Sequence, residues 1–236
     1  MEEDSSIGIM QLISDIGTKE LISRARLIQD RIRNRNGCGG DPGPTGIRII
    51  GGADASYAGE YGVGVLALLS FPGLEPIGHA FAGRIPLFPY IPGLFAFREL
   101  PLLLSAFEKL PAIPDLLFVN GHGYSHPKRF GIACHAGAVL DVPTIGIASH
   151  PLAGHAATPG PTRGSCAPIK EGEEVLGMAV RTKDQAKPVY VSAGYRTSLL
   201  YAVRMVLDTS EKNRIPVPIQ AADSLARQYR DLFGYR

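Results

Sequence analysis

The chain has 236 residues, which fits one large α/β domain or two small ones. Its hydrophobic fraction of 45% is that of a globular protein with a packed core. With 24 basic and 22 acidic residues the net charge is +2, so charge alone gives no argument for a nucleic-acid partner.

The cellular compartment is predicted from the cysteines and the apolar runs. Cys38, Cys134 and Cys166 form an odd set without CxxC spacing, which is typical of reduced thiols in a cytosolic protein. The first residues carry acids where a secretory signal carries basic residues. No apolar run approaches the roughly 18 residues that a membrane helix needs. We therefore expect a soluble, cytoplasmic monomer.

An N-terminal helix is predicted over Met10–Arg35, because apolar residues recur there at helical spacing. Its second half is basic, with Arg24, Arg26, Arg31, Arg33 and Arg35. A solvated helix face is the favoured interpretation, and a phosphate-binding face is the alternative. The Gly- and Pro-rich stretch Asn36–Gly46 is predicted to be a loop.

Three strands are predicted next, at Ile47–Ser56, Tyr61–Leu69 and Ile77–Arg84. Turn residues separate them, so they indicate an antiparallel meander. The pattern then alternates between helix and strand over Gly93–Leu110, Leu116–Val119, Phe130–Asp141 and Thr144–Ala148. This alternation predicts parallel strands joined by right-handed crossovers.

The last third of the chain begins with Ala153–Ser165, whose Gly, Pro and Thr content predicts a flexible loop. Val175–Arg181 and Pro188–Ala193 are expected to pair as a hairpin, and Ser198–Leu207 and Pro218–Phe233 to be helices. No internal repeat or domain boundary is visible. The sequence therefore predicts one α/β domain with a mixed sheet over residues 1–236.

Three acids interrupt apolar segments and are candidates for a site. Asp54 lies within or at the end of the first strand, Glu99 near the start of a helix, and Asp223 in the last helix. Each has an ordinary alternative: a hydrogen-bonded strand acid, an acid that the helix dipole favours, or an exposed helix residue. Together their oxygens suit Mg²⁺ or Mn²⁺.

Five motifs carry a resemblance to the endonuclease V family, which nicks nucleic acid near deaminated adenine (inosine). The motifs, in chain order, are Gly52-Ala53-Asp54-Ala55-Ser56-Tyr57, Pro89-Tyr90-Ile91-Pro92-Gly93 with Phe97-Arg98-Glu99, Gly121-His122-Gly123 with Ser125-His126-Pro127, Asp141-Val142-Pro143-Thr144-Ile145-Gly146, and Ile215-Pro216-Val217-Pro218 before Ala222-Asp223. They cover most of the chain from Gly51 onwards.

The resemblance implies an RNase H-like fold, with a mixed five-stranded sheet between helices. It also implies Mg²⁺-dependent hydrolysis, for which Mn²⁺ can substitute, of the second phosphodiester bond 3′ of an inosine in DNA or RNA, leaving a 5′ phosphate. Such an activity serves DNA repair or the processing of inosine-containing RNA. Asp54 and Glu99 match metal-binding carboxylates of the family, Asn120 stands at the third metal position, and Asp223 matches a fourth catalytic position.

The resemblance also assigns substrate contacts. Pro89, Tyr90, Ile91 and Pro92 match a wedge that enters the duplex, and an aromatic ring fixed between prolines loses little freedom on stacking. The alternative is that Tyr90 merely ends a strand. Gly121, His122 and Gly123 match the pocket for the displaced base, with His126 in the same turn. Lys128 and Arg129 are expected to contact phosphates. A zinc site of His122, His126 and His135 is an alternative with unusual spacing.

Two positions depart from the family pattern. Asn120 replaces an aspartate, which lowers the charge of the metal site, and Ser149-His150 replaces a lysine expected at the scissile phosphate. A slow nuclease is the first interpretation. The alternative is a relative that binds inosine-containing or branched nucleic acid without cleaving it. A further interpretation is an engineered change at Asn120, but this would leave Ser149 unexplained. A small-molecule phosphohydrolase is a third class, in which the wedge has no role.

Overall fold

The computed structural model describes residues 17–210 and 212–233, and these form five helices and nine strands. The helices are α1 (Thr18–Asn36), α2 (Phe95–Phe107), α3 (Ile132–Leu140), α4 (Leu199–Asp208) and α5 (Val217–Phe233). The strands are β1 (Ile49–Ala58), β2 (Tyr61–Ser70), β3 (Pro76–Arg84), β4 (Leu116–Asn120), β5 (Thr144–Ala148), β6 (His155–Ala156), β7 (Cys166–Glu171), β8 (Glu174–Val180) and β9 (Val189–Ala193).

One mixed sheet contains all of these strands, in the order β3-β2-β1-β4-β5-β9-β8-β7-β6. Strands β3, β2 and β1 are antiparallel, as the predicted meander requires, and β1, β4 and β5 are parallel. The expected five strands form one side of the sheet. Beyond β5 the sheet continues through antiparallel strands, including the predicted hairpin of β8 and β9.

Helices cover both faces of this sheet, which confirms the α/β class. Side chains alternate along β4, where Phe118 packs with α4 and α5, and Leu117 and Val119 pack with α2 and α3. This alternation follows from the two-residue period of a strand. The continuous apolar run of β4 is thus explained by burial on both faces.

A glycine in β1 lets α5 approach the sheet closely. A Cβ atom at Gly52 would overlap the carbonyl oxygen of Pro218, in the first turn of α5. Ala222 lies one turn further on and is fully buried. Small residues on both elements therefore bring Asp223 towards the strand that carries Asp54.

Strand β7 was missed by the sequence analysis. Its residues alternate in burial, with Ala167 and Ile169 inward, but Pro168 and the Gly/Pro-rich stretch before it indicated a loop. Within that stretch, β6 pairs with Lys170 and Ile169. The flexibility of residues 153–165 stays a prediction.

Other differences concern the N-terminal part and the cysteines. Helix α1 is described from Thr18, and residues 10–16 of the predicted helix lie outside the described part of the chain. Cys38 and Cys134 are joined in a disulfide with 5.7 Å between Cα atoms, so the prediction of reduced thiols is wrong for this pair. Cys166 is free and exposed. None of the helices in residues 17–210 and 212–233 is long and apolar enough to cross a membrane.

Candidate active site

The register between two parallel strands brings Asp54 and Asn120 together. Ala53 of β1 lies opposite Val119 of β4, so the next residue on each strand is its neighbour across the sheet. Asn120 Nδ2 donates a hydrogen bond of 2.8 Å to Asp54 Oδ1, and the Ala55 N–H donates to the same oxygen at 2.9 Å. Asp54 is only 8% exposed. The carboxylate is therefore held by neutral donors.

Glu99 is the second buried acid, placed by α2 at 5% exposure. Burial raises the pKa of Glu99 well above its ordinary value, and the neighbouring Asp54 carboxylate adds to the rise. Burial also raises the pKa of Asp54 to about 6, while the Asn120 hydrogen bond opposes that rise. Two acids that are buried near each other are costly when both are ionised. A cation between them would offset that cost.

Asp223 does not complete a cage of three carboxylates. Arg227, one turn later in α5, donates to it from Nε at 3.0 Å, and Nη2 lies 2.9 Å from its other oxygen. Among residues 17–210 and 212–233, no three His, Cys, Asp or Glu side chains are grouped to hold a metal ion. The absence of such a group among these residues also contradicts the alternative of a zinc site formed by His122, His126 and His135. The acid remains close enough to act electrostatically on Asp54.

The oxygen atoms that remain suit a hard divalent cation, and together they bring only a small negative charge to the site. It consists of Asp54 and Glu99 with the amide of Asn120, and carboxylate and amide oxygens are ligands that Mg²⁺ accepts. The pKa of both acids is raised mainly by burial, which disfavours their charged forms. Metal binding by these residues stays a prediction.

Tyr57 and Arg98 support this pair and were not singled out as site residues from the sequence. The Arg98 guanidinium carbon lies 4.8 Å from the centre of the Tyr57 ring, and Arg98 donates to the Phe88 carbonyl at 2.9 Å. Burial and the nearby Glu99 raise the pKa of the Tyr57 hydroxyl. Glu99 and Arg98 are the neighbouring groups that act on that hydroxyl. In the sequence, the signal for a role in the site was that Tyr57 lies in the motif with Asp54, and Arg98 in the motif with Glu99.

A cavity of about 310 Å³ collects half of the expected substrate contacts, and Asn120, which is bonded to Asp54, is part of its wall. Its lining includes Tyr90, Pro92, Gly93, Phe95, Asn120, Gly121, His122, His126, Ile132 and Ser149. This volume is at the lower end of the roughly 300–1,000 Å³ of small-molecule sites.

The wall near Asn120 is shaped by Gly121. Its φ is +156°, and a Cβ atom there would overlap the Ile132 side chain. Gly121 N–H donates to the Ile147 carbonyl of β5 at 2.8 Å. The turn is thus fixed by backbone contacts, and the sequence prediction of a glycine-dependent pocket agrees with this geometry.

The wedge segment, residues 89–92, borders the cavity through Tyr90 and Pro92. Strand β3 ends at Arg84, so Tyr90 does not end a strand and that alternative is wrong. The Tyr90 ring is 68% exposed and meets Phe95 edge-on, with ring centres 5.9 Å apart. An exposed aromatic ring with one supporting contact is available for stacking.

The two basic residues after the turn differ from each other. Arg129 is paired with Glu174 at 2.7 Å and with Glu171 at 2.5 Å, and Tyr124 also donates to Glu174. The positive charge of Arg129 is therefore already balanced by these two glutamates, which the sequence did not indicate. Lys128 is exposed and has no ion pair among the described residues. Phosphate contact stays a prediction for both.

The residues that replace the family lysine follow β5. Ser149 borders the cavity and is exposed, and His150 next to it is also exposed. The structure therefore brings Ser149 to the expected place at the site, where it offers a hydroxyl and no fixed positive charge.

Gln29 borders the same cavity and was not found from the sequence. It lies on α1 with 2% exposure. Its Nε2 donates to the carbonyl oxygens of Gly93 and Phe130. The signal in the sequence was that Gln29 is a polar residue on the apolar face of the predicted N-terminal helix.

This sheet order, with helices on both faces and buried acids on β1 and α2 beside Asn120 of β4, defines an RNase H-like protein. A family model described as Endonuclease V matches residues 31–224. Endonuclease V of Roseiflexus castenholzii is 42% identical over 210 residues, which cover 89% of this chain and 93% of the relative. The chain belongs to the endonuclease V family.

Solved structures agree with this assignment. The crystal structure of endonuclease V from Streptomyces avermitilis has a TM-score of 0.85 and 38% identity, and covers 89% of this chain and 93% of its own. Endonuclease V from Ciona intestinalis, in complex with a 24mer DNA containing an inosine followed by a ribo-adenosine, has a TM-score of 0.76 and 26% identity. That match covers 90% of this chain and 99% of the Ciona chain.

Proposed function

We propose that this protein is a divalent-metal-dependent endonuclease that recognises inosine in DNA or RNA and hydrolyses the second phosphodiester bond on its 3′ side. One observation carries the proposal: Asn120 lines the cavity that Tyr90 borders and is hydrogen-bonded to the buried Asp54. A displaced base in the cavity would thus lie beside the acids. Membership of the endonuclease V family and the inosine-containing complex of the Ciona relative support it.

Asp54, Glu99 and the Asn120 amide oxygen are the groups that would hold Mg²⁺ or Mn²⁺. When bound, such an ion supplies Lewis acidity at the phosphate and lowers the pKa of a ligated water. The chain itself contributes a site of only two acids, because Asp223 is engaged by Arg227. Weak metal affinity follows from that low charge.

The substrate would be held by neutral groups more than by charge. The Gly121 N–H is bonded to the Ile147 carbonyl, so the backbone groups of this turn that are not bonded within the protein would distinguish the carbonyl and ring N–H of hypoxanthine from the amine of adenine. Burial lowers the pKa of His122 to about 4, so its ring is neutral at pH 7. A neutral wall favours an uncharged base over a phosphate.

Without the family lysine, the fixed positive charge expected at the scissile phosphate is missing. Ser149 supplies a hydroxyl but no fixed charge at this place. We therefore propose a slow rate of cleavage for this enzyme.

The test is cleavage of matched duplexes with inosine or adenine at one position, in DNA and in RNA, with Mg²⁺ and with Mn²⁺. We expect a nick at the second bond 3′ of inosine that is lost in Asp54→Ala. A nick that persists in this variant would rule out the metal site, and equal cutting of the adenine duplex would rule out base recognition.

A second function, binding without cleavage, is favoured by one observation. The hydrogen bond from Asn120 satisfies Asp54 without a metal ion. In that case a gel shift would show preference for the inosine strand, and no product would form with either metal. Product formation that depends on Asp54 decides for the nuclease.

A further inference from the structure

Gln29 is a buried polar side chain that the proposed chemistry does not use. Helix α1 has two fully buried residues among those described, Ala25 and Gln29. A buried amide is costly unless hydrogen bonds satisfy it. The partners of Gln29 therefore show what this helix is attached to.

Both partners are backbone carbonyls at the edge of the cavity. Gln29 Nε2 donates to Gly93 O at 3.2 Å and to Phe130 O at 3.1 Å, which are 64 and 101 residues away in sequence. Gly93 directly follows the wedge residue Pro92, and Phe130 precedes Ile132, which meets Gly121. One amide group thus joins the wedge segment to the opposite wall of the cavity.

Few other contacts fix this part of the wedge segment. Gly93 has φ +80° and no side chain, and a Cβ built there would meet nothing within 4 Å. No helix or strand is found over residues 85–94. The position of Gly93 therefore depends on its own turn, on the bond from Gln29 and on contact of its backbone with the His126 ring.

We propose that Gln29 is a positioning residue that sets the distance between the wedge segment and the pocket turn, and so determines how well a displaced base is discriminated. This inference rests on the proposed function. Gln29 acts through Gly93 and Phe130, and no contact with the reacting phosphate is involved. The alternative is that Gln29 only anchors α1.

Binding to three duplexes separates these roles. They carry inosine, adenine or an abasic site at one position, and affinity is measured with EDTA present so that cleavage does not interfere. Only the inosine duplex offers a base that must fit between the two walls. For Gln29→Met we expect the inosine-to-adenine affinity ratio to fall about three- to tenfold, while abasic binding changes less than about twofold.

Gln228→Met is the matched control, because Gln228 is an exposed glutamine on helix α5. It should leave all three affinities and the melting temperature unchanged. A parallel loss for all three duplexes in Gln29→Met, or no loss, would overturn the inference. Absence of any inosine preference in the unmodified protein would instead overturn the proposed function, and the inference with it.

A second variant keeps the test valid if Gln29→Met fails to fold. Gly93→Ala leaves α1 intact and strains the other end of the same bond, because L side chains rarely adopt φ +80°. The same selective loss for the inosine duplex is expected. Unchanged discrimination in a folded Gly93→Ala protein would contradict a positioning role.

Discussion

Asn120 donates a 2.8 Å hydrogen bond to Asp54 across the two central parallel strands of the sheet. An aspartate in place of Asn120 would put two carboxylates at this distance, and only a cation would make that arrangement favourable. The amide instead satisfies the acid in the metal-free protein. Compared with an aspartate, Asn120 therefore stabilises the metal-free protein and, under the proposed function, lowers the charge of the metal site.

Asn120→Asp is expected to raise the rate of nicking of an inosine oligonucleotide in Mg²⁺, on the order of tenfold, because the third acid tightens metal binding. Without metal the variant should melt at a lower temperature, since the buried acids repel each other. Nicking rates and melting curves with and without Mg²⁺ measure both effects. A variant that shows no gain in rate would favour the binding-only function.

Tyr90→Ala is expected to reduce the preference for inosine over adenine strands about tenfold, because stacking of one base on an aromatic ring contributes roughly 1–3 kcal/mol. Tyr90→Phe keeps the ring and should behave like the unmodified protein. Since Tyr90 is exposed, the melting temperature should hardly change. Competition binding measures the preference, and full discrimination by the alanine variant would show that the wedge assignment is wrong.

Lys128→Ala is expected to weaken binding to any nucleic acid and to reduce the salt slope by about 0.9, the value for one lost phosphate contact in B-DNA. Arg129→Ala should change that slope less, because Glu171 and Glu174 already balance the guanidinium. Titrations at several salt concentrations compare the two. A larger slope change for Arg129→Ala would mean that binding breaks the ion pairs.

Buried histidines should lower stability in acid, and they are opposed by Asp54 and Glu99, whose raised pKa values favour the folded protein as pH falls. Burial lowers the pKa of His126 and of His135 to about 4, below the ordinary 6.5. Between these values the unfolded chain binds more protons than the folded one, so the free energy of unfolding decreases as pH falls from 6.5 to 4. Above pH 6.5 this contribution is fully present.

Replacement of His135 tests this explanation. The ring contacts Phe97 and Phe130, and its Nδ1 has no partner among the described residues, so His135→Phe should be accommodated. The loss of unfolding free energy between pH 7 and pH 5 should be smaller by about 2 kcal/mol in urea titrations. An unchanged loss in His135→Phe would contradict the burial argument.

Much of the fold was predictable because its signals are local. The meander, the alternating helices and strands, and Asn120 at the end of β4 follow from apolar periodicity and turn residues. The five motifs also contain Asp54, Glu99 and several residues of the cavity wall, although Gln29 lies outside them. Strand β7 was hidden by Pro168 and its Gly-rich surroundings, since edge strands tolerate residues that indicate loops.

Contacts between distant residues were decided only by the tertiary structure. The bond from Asn120 to Asp54 spans 66 residues and requires the register of β1 and β4. The pairing of Asp223 with Arg227, one turn away, was accessible from helical spacing, but its competition with the acid site was not. Gln29 gained a role because folding placed two carbonyls beside it. A sequence pattern reports which side of an element is buried, whereas the partner on that side is set by how all the elements pack.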